Sequence, residues 1–70
     1  MSNKYNPLNR KYIYIQIVGD DKCVYLNDII VKRFNIISDD FAYTNSTKFA
    51  RELRNTNIEK LHDAYPECFI

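Results

Sequence analysis

Residues 11–18 show a strict alternation of side-chain types. Isoleucine occupies positions 13, 15 and 17, while tyrosine or glutamine occupies positions 12, 14 and 16. This two-residue period in β-branched and aromatic residues is typical of a strand with two different faces. We predict that the isoleucine face is core. We expect the tyrosine face to be covered by a neighbouring element or a second subunit, or, less commonly, to stack on bases.

The next segment predicts a turn and a returning strand. Gly19 adopts a positive φ at low cost, and the adjacent Asp20 and Asp21 tolerate turn geometry. We interpret these aspartates as a solvated turn rather than as a metal or acid–base site. Val24 and Leu26 share one face of the segment that follows, which indicates an antiparallel β-hairpin.

Residues 28–35 allow two interpretations. Asn27 could cap a helix there, with the Asp28 carboxylate stabilising the positive end of the helix dipole. Alternatively, Asn27 and Asp28 form a tight turn and the β-branched run of residues 29–31 begins a third strand. The turn signal is weak without a following glycine. The local pattern leaves both interpretations open.

After a predicted loop over residues 36–44, residues 45–55 have helical periodicity. Phe49, Ala50 and Leu53 cluster on one arc at 100° per residue, which indicates the buried side. The opposite arc collects cations and short hydrogen-bonding side chains: Thr44, Thr47, Lys48, Arg51, Arg54 and Asn55.

That polar arc has the chemistry of a DNA-binding face, because Lys and Arg bind phosphates while Thr and Asn can read base edges. An ordinary solvated helix face is the alternative. The DNA-binding hypothesis places these six side chains against a duplex: Lys48, Arg51, Arg54, Asn55 and, on flanking phosphates, Lys32 and Arg33.

The C-terminal region predicts a second helix and a docking tail. Thr56 and Glu59 match a capping box, and Pro66 ends the helix near residue 65. His62 lies on the apolar side, so we interpret it as packed rather than catalytic. Phe69 and Ile70 end the chain on two large apolar groups that dock on the core or on a partner.

Size and composition restrict the function. Seventy residues allow one small domain, which we place at residues 11–70 behind a flexible arm at residues 1–10. Such a small core predicts help from a partner, most simply a homodimer. The net charge of +1 is low for a nucleic-acid-binding protein, so only a local basic patch supports that function. Abundant Asn, Ile, Lys, Tyr and Asp match AT-rich coding, a bias shared by bacteriophages and mobile elements.

Several classes of function are not expected. One glycine excludes a glycine-rich phosphate loop, and one histidine excludes a His-rich metal centre, so we predict no cofactor and no metal. No nucleophile has a base at motif spacing and the chain is too short to enclose much of a substrate, so we predict no enzyme activity. No apolar run approaches the roughly 20 residues that span a bilayer. With no export signal, we expect a cytoplasmic protein whose Cys23 and Cys68 are reduced, buried thiols.

Three segments resemble the phage-type KilA-N domain. They are residues 24–30 (VYLNDII) after a hairpin, residues 45–54 (NSTKFARELR) and residues 56–61 (TNIEKL). The resemblance spans about residues 13–65. It implies DNA binding of the kind found in phages and large DNA viruses, and it favours a helix over residues 28–35.

The sequence therefore predicts an α+β fold, with an N-terminal antiparallel β-hairpin packed against two or three short α-helices. The predicted function is a small DNA-binding regulatory protein that contacts duplex DNA with a basic helix. The alternative is an inhibitor or regulator that binds a host protein through an aromatic and apolar surface of Tyr12, Tyr14, Phe69 and Ile70.

Overall fold

The computed structural model describes residues 11–69 and confirms an α+β fold. Its elements are strands β1 (Ile13–Val18), β2 (Asp21–Leu26) and β3 (Ile29–Asn35), helices α1 (Ala42–Asn55) and α2 (Ile58–Ala64), and a 3₁₀ turn (Pro66–Phe69). The predicted arm, residues 1–10, lies outside the described residues. No helix in the described part of the chain is long and apolar enough to cross a membrane.

The strands form an antiparallel sheet in the order β1-β2-β3. Gly19, with φ of 62°, lies in the turn of the predicted hairpin, where Val18 pairs with Asp21. Ile13 and Ile15 pack against the core as predicted, but Ile17 is 53% exposed. Ile17 differs because it lies near the hairpin turn on an edge strand, where one side has no neighbouring strand.

The helix that the KilA-N resemblance favoured over residues 28–35 is wrong, because these residues form β3. Asn27 and Asp28 both adopt positive φ, 53° and 70°, and form a two-residue turn that pairs Leu26 with Ile29. Two consecutive positive φ angles match the tight turns that join antiparallel strands, and Asn and Asp tolerate them better than most residues. The local strand alternative is therefore the correct one.

A bulge in β3 decides where its cations point. Val24 pairs with Lys32 and Tyr25 with Ile30, so Val31 is the extra residue and packs against the core. Beyond the bulge, neighbouring side chains alternate between the two faces of the sheet. Lys32 and Arg33 therefore lie on opposite faces, and not together on a helix as predicted.

Helix α1 packs across all three strands on one face of the sheet. The buried side of the helix includes the predicted Ala50 and Leu53, and the half-buried Phe49 ring meets Phe34 edge-on at 6.1 Å. Small side chains at the contact let the helix backbone approach the sheet closely. The buried core joins the sheet, both helices and the 3₁₀ turn: Val24, Leu26, Ala50, Leu53, Leu61, Cys68 and Phe69.

The predicted capping box is displaced by one residue. Asn57, rather than Thr56, caps α2, and its side-chain oxygen accepts from the Glu59 amide at 2.7 Å. Thr56 instead ends α1, where its hydroxyl donates to the Glu52 carbonyl at 2.6 Å. Because α1 and α2 are almost contiguous, Thr56 terminates the first helix and cannot begin the second.

The C-terminal segment docks on the chain's own core. Phe69 is 4% exposed, and its ring lies 5.5 Å from the imidazole of His62, which is packed as predicted. Cys23 and Cys68 are free and buried, as expected. Burial, with a smaller contribution from the charge of Glu67, raises the pKa of the Cys68 thiol.

Candidate nucleic-acid interface

The side of α1 that faces away from the sheet is a polar surface, as the sequence predicts. We call it the cationic face; all six of its residues are exposed: Thr44, Thr47, Lys48, Arg51, Arg54 and Asn55. The apolar arc of the same helix fixes its orientation, because burial of Ala50 and Leu53 leaves the opposite arc in solvent.

Lys48 and Arg51 lie about one helical turn apart on this face. Neither side chain has an ion-pair or hydrogen-bond partner among residues 11–69. Glu52 is the one carboxylate of α1 and is itself exposed, but it forms no ion pair with Lys48 within the 4.0 Å limit for a salt bridge. Two neighbouring positive charges therefore remain available to an anion from solution.

An open groove of about 530 Å³ runs along the N-terminal part of this face, lined by Tyr43, Thr44, Thr47, Lys48 and Arg51. The Thr47 hydroxyl donates to the Tyr43 carbonyl at 3.0 Å, so its proton is already used. Its oxygen can still accept a hydrogen bond. In the major groove of DNA, adenine and cytosine present amino groups that can donate a hydrogen bond to this oxygen.

The C-terminal end of α1 is tied to the start of β1. The Lys11 ammonium donates to the Arg54 carbonyl at 2.5 Å and to the Thr56 carbonyl at 3.3 Å, and the Arg54 guanidinium donates to the Ile13 carbonyl at 3.2 Å. A cation at the helix C-terminus satisfies carbonyls that have no partner within the helix and interacts favourably with the dipole. Lys11 therefore lies next to the C-terminal end of the cationic face.

Sequence reasoning missed two residues that lie beside the cationic face, Lys11 and Tyr43. Lys11 meets Arg54 across 43 positions of sequence, and no local pattern signals such a contact. Tyr43 was assigned to the loop before the helix. Because α1 begins at Ala42 and not near residue 45, Tyr43 lies in its first turn and contributes to the groove.

The predicted flanking cations are divided between two surfaces. Lys32 lies on the helix side of β3, with its ammonium 5.7 Å from the centre of the Phe34 ring. Arg33 lies on the other face, with its guanidinium 3.7 Å from an Asp21 carboxylate oxygen and 3.8 Å from the Cys23 sulfur. The six predicted DNA-binding residues therefore do not form one patch, since Arg33 points away from the cationic face and is already paired.

The sheet face opposite α1 is aromatic, and no described element packs on it in the way that α1 packs on the other face. We call it the open sheet face. The Tyr14 and Tyr25 rings stack at 4.6 Å, and Tyr12, 55% exposed, lies 5.1 Å from Tyr14. The Tyr14 hydroxyl donates to the Asp28 carboxylate at 3.1 Å. Partial desolvation, together with this bond and the Asp28 charge, raises the pKa of Tyr14.

The alternative protein-binding surface is likewise only partly assembled. Tyr12 and Tyr14 are neighbours on the open sheet face, whereas Phe69 is buried in the core and is not available for contact. The packing of the 3₁₀ turn against α2 explains this burial. The predicted contribution of Ile70 lies outside the described residues.

The described residues, 11–69, contain no group of three or more histidine, cysteine, aspartate or glutamate side chains that could hold a metal ion. A search against protein-family models, curated proteins and solved structures finds no match for this chain.

Proposed function

We propose that this protein is a small regulatory protein that binds duplex DNA through the cationic face of α1. The observation that supports the proposal is the exposure of Lys48 and Arg51 without a carboxylate partner among residues 11–69. An exposed cation whose charge is not neutralised internally retains its full attraction for phosphate. Arg33, which faces Asp21, does not.

The dimensions of α1 suit a DNA groove. Its 14 residues span about 21 Å at 1.5 Å per residue. The major groove of B-DNA, about 12 Å wide, admits one α-helix. In this arrangement the two threonines face base edges, while Lys48, Arg51 and Arg54 contact phosphates.

The affinity of such a complex comes mainly from release of counterions. Each phosphate neutralised contributes about −0.9 to the slope of log K against log salt concentration. Three cations on the cationic face therefore predict a slope of about −3. That modest slope suits a chain with a net charge of only +1.

The proposal does not rest on the KilA-N resemblance, which stays a prediction together with the phage or mobile-element origin. The one structural expectation that the resemblance added, a helix over residues 28–35, is wrong. The charges of α1 support DNA binding independently of it. The expected location, the cytoplasm of the host if the chain is phage-encoded, likewise stays a prediction.

Fluorescence anisotropy with a short random-sequence duplex, at several salt concentrations, tests the proposal. The double variant Lys48→Ala Arg51→Ala should lose two phosphate contacts, which lowers the salt slope by about 1.8 and weakens binding at low salt. Lys60→Ala is the matched control, since it removes an exposed cation from α2 rather than α1.

The parent and Lys60→Ala should bind equally well. If the double variant binds as tightly as the parent with the same salt slope, α1 is not the DNA-binding element. If the parent shows no salt-dependent binding at all, the proposed function is wrong.

The open sheet face favours a second candidate function, in which the protein binds and regulates another protein. Tyr12 is exposed beside the stacked Tyr14 and Tyr25 rings, and tyrosine is enriched at the centres of protein interfaces. The partner at this face is either a host protein or a second copy of this chain. A solution mass for the parent and for Tyr12→Ser distinguishes these, because only a homodimer through this face would be converted to monomer by the substitution.

A further inference from the structure

One end of the molecule exposes an unusual share of its large apolar side chains. This loop end comprises residues 17–22 and 35–43, where the β1–β2 turn, the end of β3 and the start of α1 meet. Seven large apolar side chains are exposed among residues 11–69, and five of them lie here: Ile17, Val18, Ile37, Phe41 and Tyr43. Ile37 and Phe41 are the most exposed, at 70% and 67%.

Hydrogen bonds hold the backbone that presents these side chains. The Ile36 amide donates to the Asp20 carbonyl at 2.8 Å, which joins the loop to the hairpin turn. The Asn35 side-chain oxygen accepts from the amides of Ile37 at 3.1 Å and Ser38 at 2.8 Å, while its NH₂ group donates to Asp21 at 3.1 Å. These bonds fix the backbone around Ile37, whose side chain is exposed.

Phe41 is fixed in a similar way. One Asp39 carboxylate oxygen accepts from the Phe41 amide at 2.9 Å, and the other accepts from the Asn45 side chain at 3.1 Å. A surface that is ordered before it meets a partner loses less conformational entropy on binding. The exposed side chains of Phe41 and Ile37 therefore extend from a backbone that hydrogen bonds hold in place.

The same two segments carry several negatively charged side chains. Four aspartates lie at this end: Asp20, Asp21, Asp39 and Asp40. Asp20 and Asp40 are exposed, and their carboxylates have no partner among residues 11–69. The cation at this end, Lys22, lies over the Tyr43 ring at 4.3 Å. The loop end therefore combines exposed apolar side chains with two unpaired carboxylates.

We propose that the loop end is a docking surface for a basic segment of another protein, in which apolar side chains alternate with Lys or Arg. Such a segment buries its apolar groups on Ile37 and Phe41 and places its cations beside Asp20 and Asp40. An exposed apolar patch bordered by polar residues is characteristic of a protein interaction site. Complementary charge adds specificity and speeds association.

The charge pattern disfavours the other occupants. Nucleic acids and anionic membranes are repelled by unpaired aspartates. A symmetric contact between two copies would place each loop end against the other, because such an interface uses the same patch on both subunits. That arrangement brings like charges together. The proposal is independent of DNA binding, because Ile37, Phe41, Asp20 and Asp40 are not among the residues proposed to contact DNA.

An NMR titration of the ¹⁵N-labelled protein with a synthetic peptide of alternating leucine and lysine tests the proposal. Saturable shifts should appear for amides of residues 17–22 and 35–43. Two matched peptides serve as controls, one with glutamate in place of lysine and one with glycine in place of leucine. Both should bind at least about tenfold more weakly, since each lacks one of the two complementary features.

Two pairs of substitutions separate the contributions. Ile37→Ser with Phe41→Ser should weaken binding of the leucine–lysine peptide by about tenfold or more. Asp20→Asn with Asp40→Asn should weaken binding and reduce its salt dependence, while Asp21 and Asp39 remain charged. Tyr12→Ser on the open sheet face should leave binding unchanged. The parent's spectrum serves as a check that each variant is folded.

Three results would overturn the proposal: equal binding of the glutamate peptide, shifts that map to the open sheet face, or full binding by the Ile37→Ser Phe41→Ser variant. Sedimentation of the parent and of this variant tests for a second copy as the occupant. A parent that self-associates and a variant that does not would assign the loop end to self-association and contradict the hetero-partner assignment.

Discussion

The two ends of the sheet are built in opposite ways. At the Asn27 end, where β1 begins and the β2–β3 turn lies, a buried asparagine connects three parts of the chain. Its side-chain oxygen accepts from the Tyr12 amide at 2.9 Å, and its NH₂ group donates to the Cys68 carbonyl at 3.0 Å. At the loop end, hydrogen bonds hold the backbone while Ile37 and Phe41 remain in solvent.

The difference separates stability from recognition. Polar groups at the Asn27 end are bonded to one another, and the 3₁₀ turn covers the core beside them, so this end stabilises the fold. At the loop end, the Ile37 and Phe41 side chains are exposed, and the Asp20 and Asp40 carboxylates have no partner among residues 11–69. Substitutions of these four residues should therefore affect binding more than folding.

Asn27→Ala should destabilise the protein by about 3 kcal/mol. It removes both side-chain bonds, leaves the buried Cys68 carbonyl without this donor, and places a Cβ-bearing residue at a φ of 53° without the side chain that favours it. Urea denaturation measures the change. Asn27→Gly is the matched control, because glycine accepts the backbone conformation and loses only the bonds. Equal stability of Asn27→Ala and the parent would contradict the stabilising role of this end.

Alkaline pH should weaken the Asn27 end through Cys68. Its thiol pKa is raised above the ordinary 9.0 in the folded protein, so the unfolded chain loses this proton first as pH rises. The contribution of the Cys68 thiol to the free energy of unfolding is thus fully present below pH 9.0 and is lost as pH rises through the pKa of the folded state. The free energy of unfolding, measured at several pH values, should fall less steeply above pH 9.0 in Cys68→Ala than in the parent. Identical slopes would contradict this assignment.

The Tyr14 phenol should ionise above its ordinary pKa of 10.0. Asp28→Asn removes the negative charge but not the partial desolvation, so the Tyr14 pKa should fall while remaining above 10.0. Ultraviolet absorbance of tyrosinate during a pH titration measures this, with Tyr14→Phe identifying the transition. An unchanged titration in Asp28→Asn would show that the carboxylate does not act on Tyr14.

Substitutions at the loop end should have the smallest effect on stability. Ile37→Ser and Phe41→Ser should each change the free energy of unfolding by less than about 0.5 kcal/mol, because both side chains are largely exposed. The same denaturation assay measures them beside Asn27→Ala. A loss above about 1 kcal/mol at Phe41 would place this ring in the stabilising core and remove the contrast between the two ends.

Periodic segments were predictable because their burial follows from local spacing. The alternation of residues 11–18 identified β1, and the arc of Phe49, Ala50 and Leu53 identified which side of α1 is buried. The exposed cations of α1 followed from the same periodicity. These features depend on residues within one element, so a single sequence contains enough information to predict them.

Features that depend on long-range packing were not predictable in this way. Asn27 and Asp28 could cap a helix or form a turn, and only the pairing of β3 with β2 decides between them. The direction of Lys32 and Arg33 depends on a bulge that local pattern does not reveal. A large apolar residue near the C-terminus, such as Phe69, can pack on the core or bind a partner. Its burial depends on Leu61 and the other core residues that it contacts.

The bond between Arg54 and the Ile13 carbonyl has a consequence for aggregation. β1 forms one edge of a three-stranded sheet, and an uncovered edge presents backbone groups on which a foreign strand can assemble. The Arg54 guanidinium donates to one backbone acceptor on that edge, the Ile13 carbonyl. Arg54 thus covers one backbone acceptor at the start of β1, and its removal would leave that carbonyl open to an added strand as well as removing a charge.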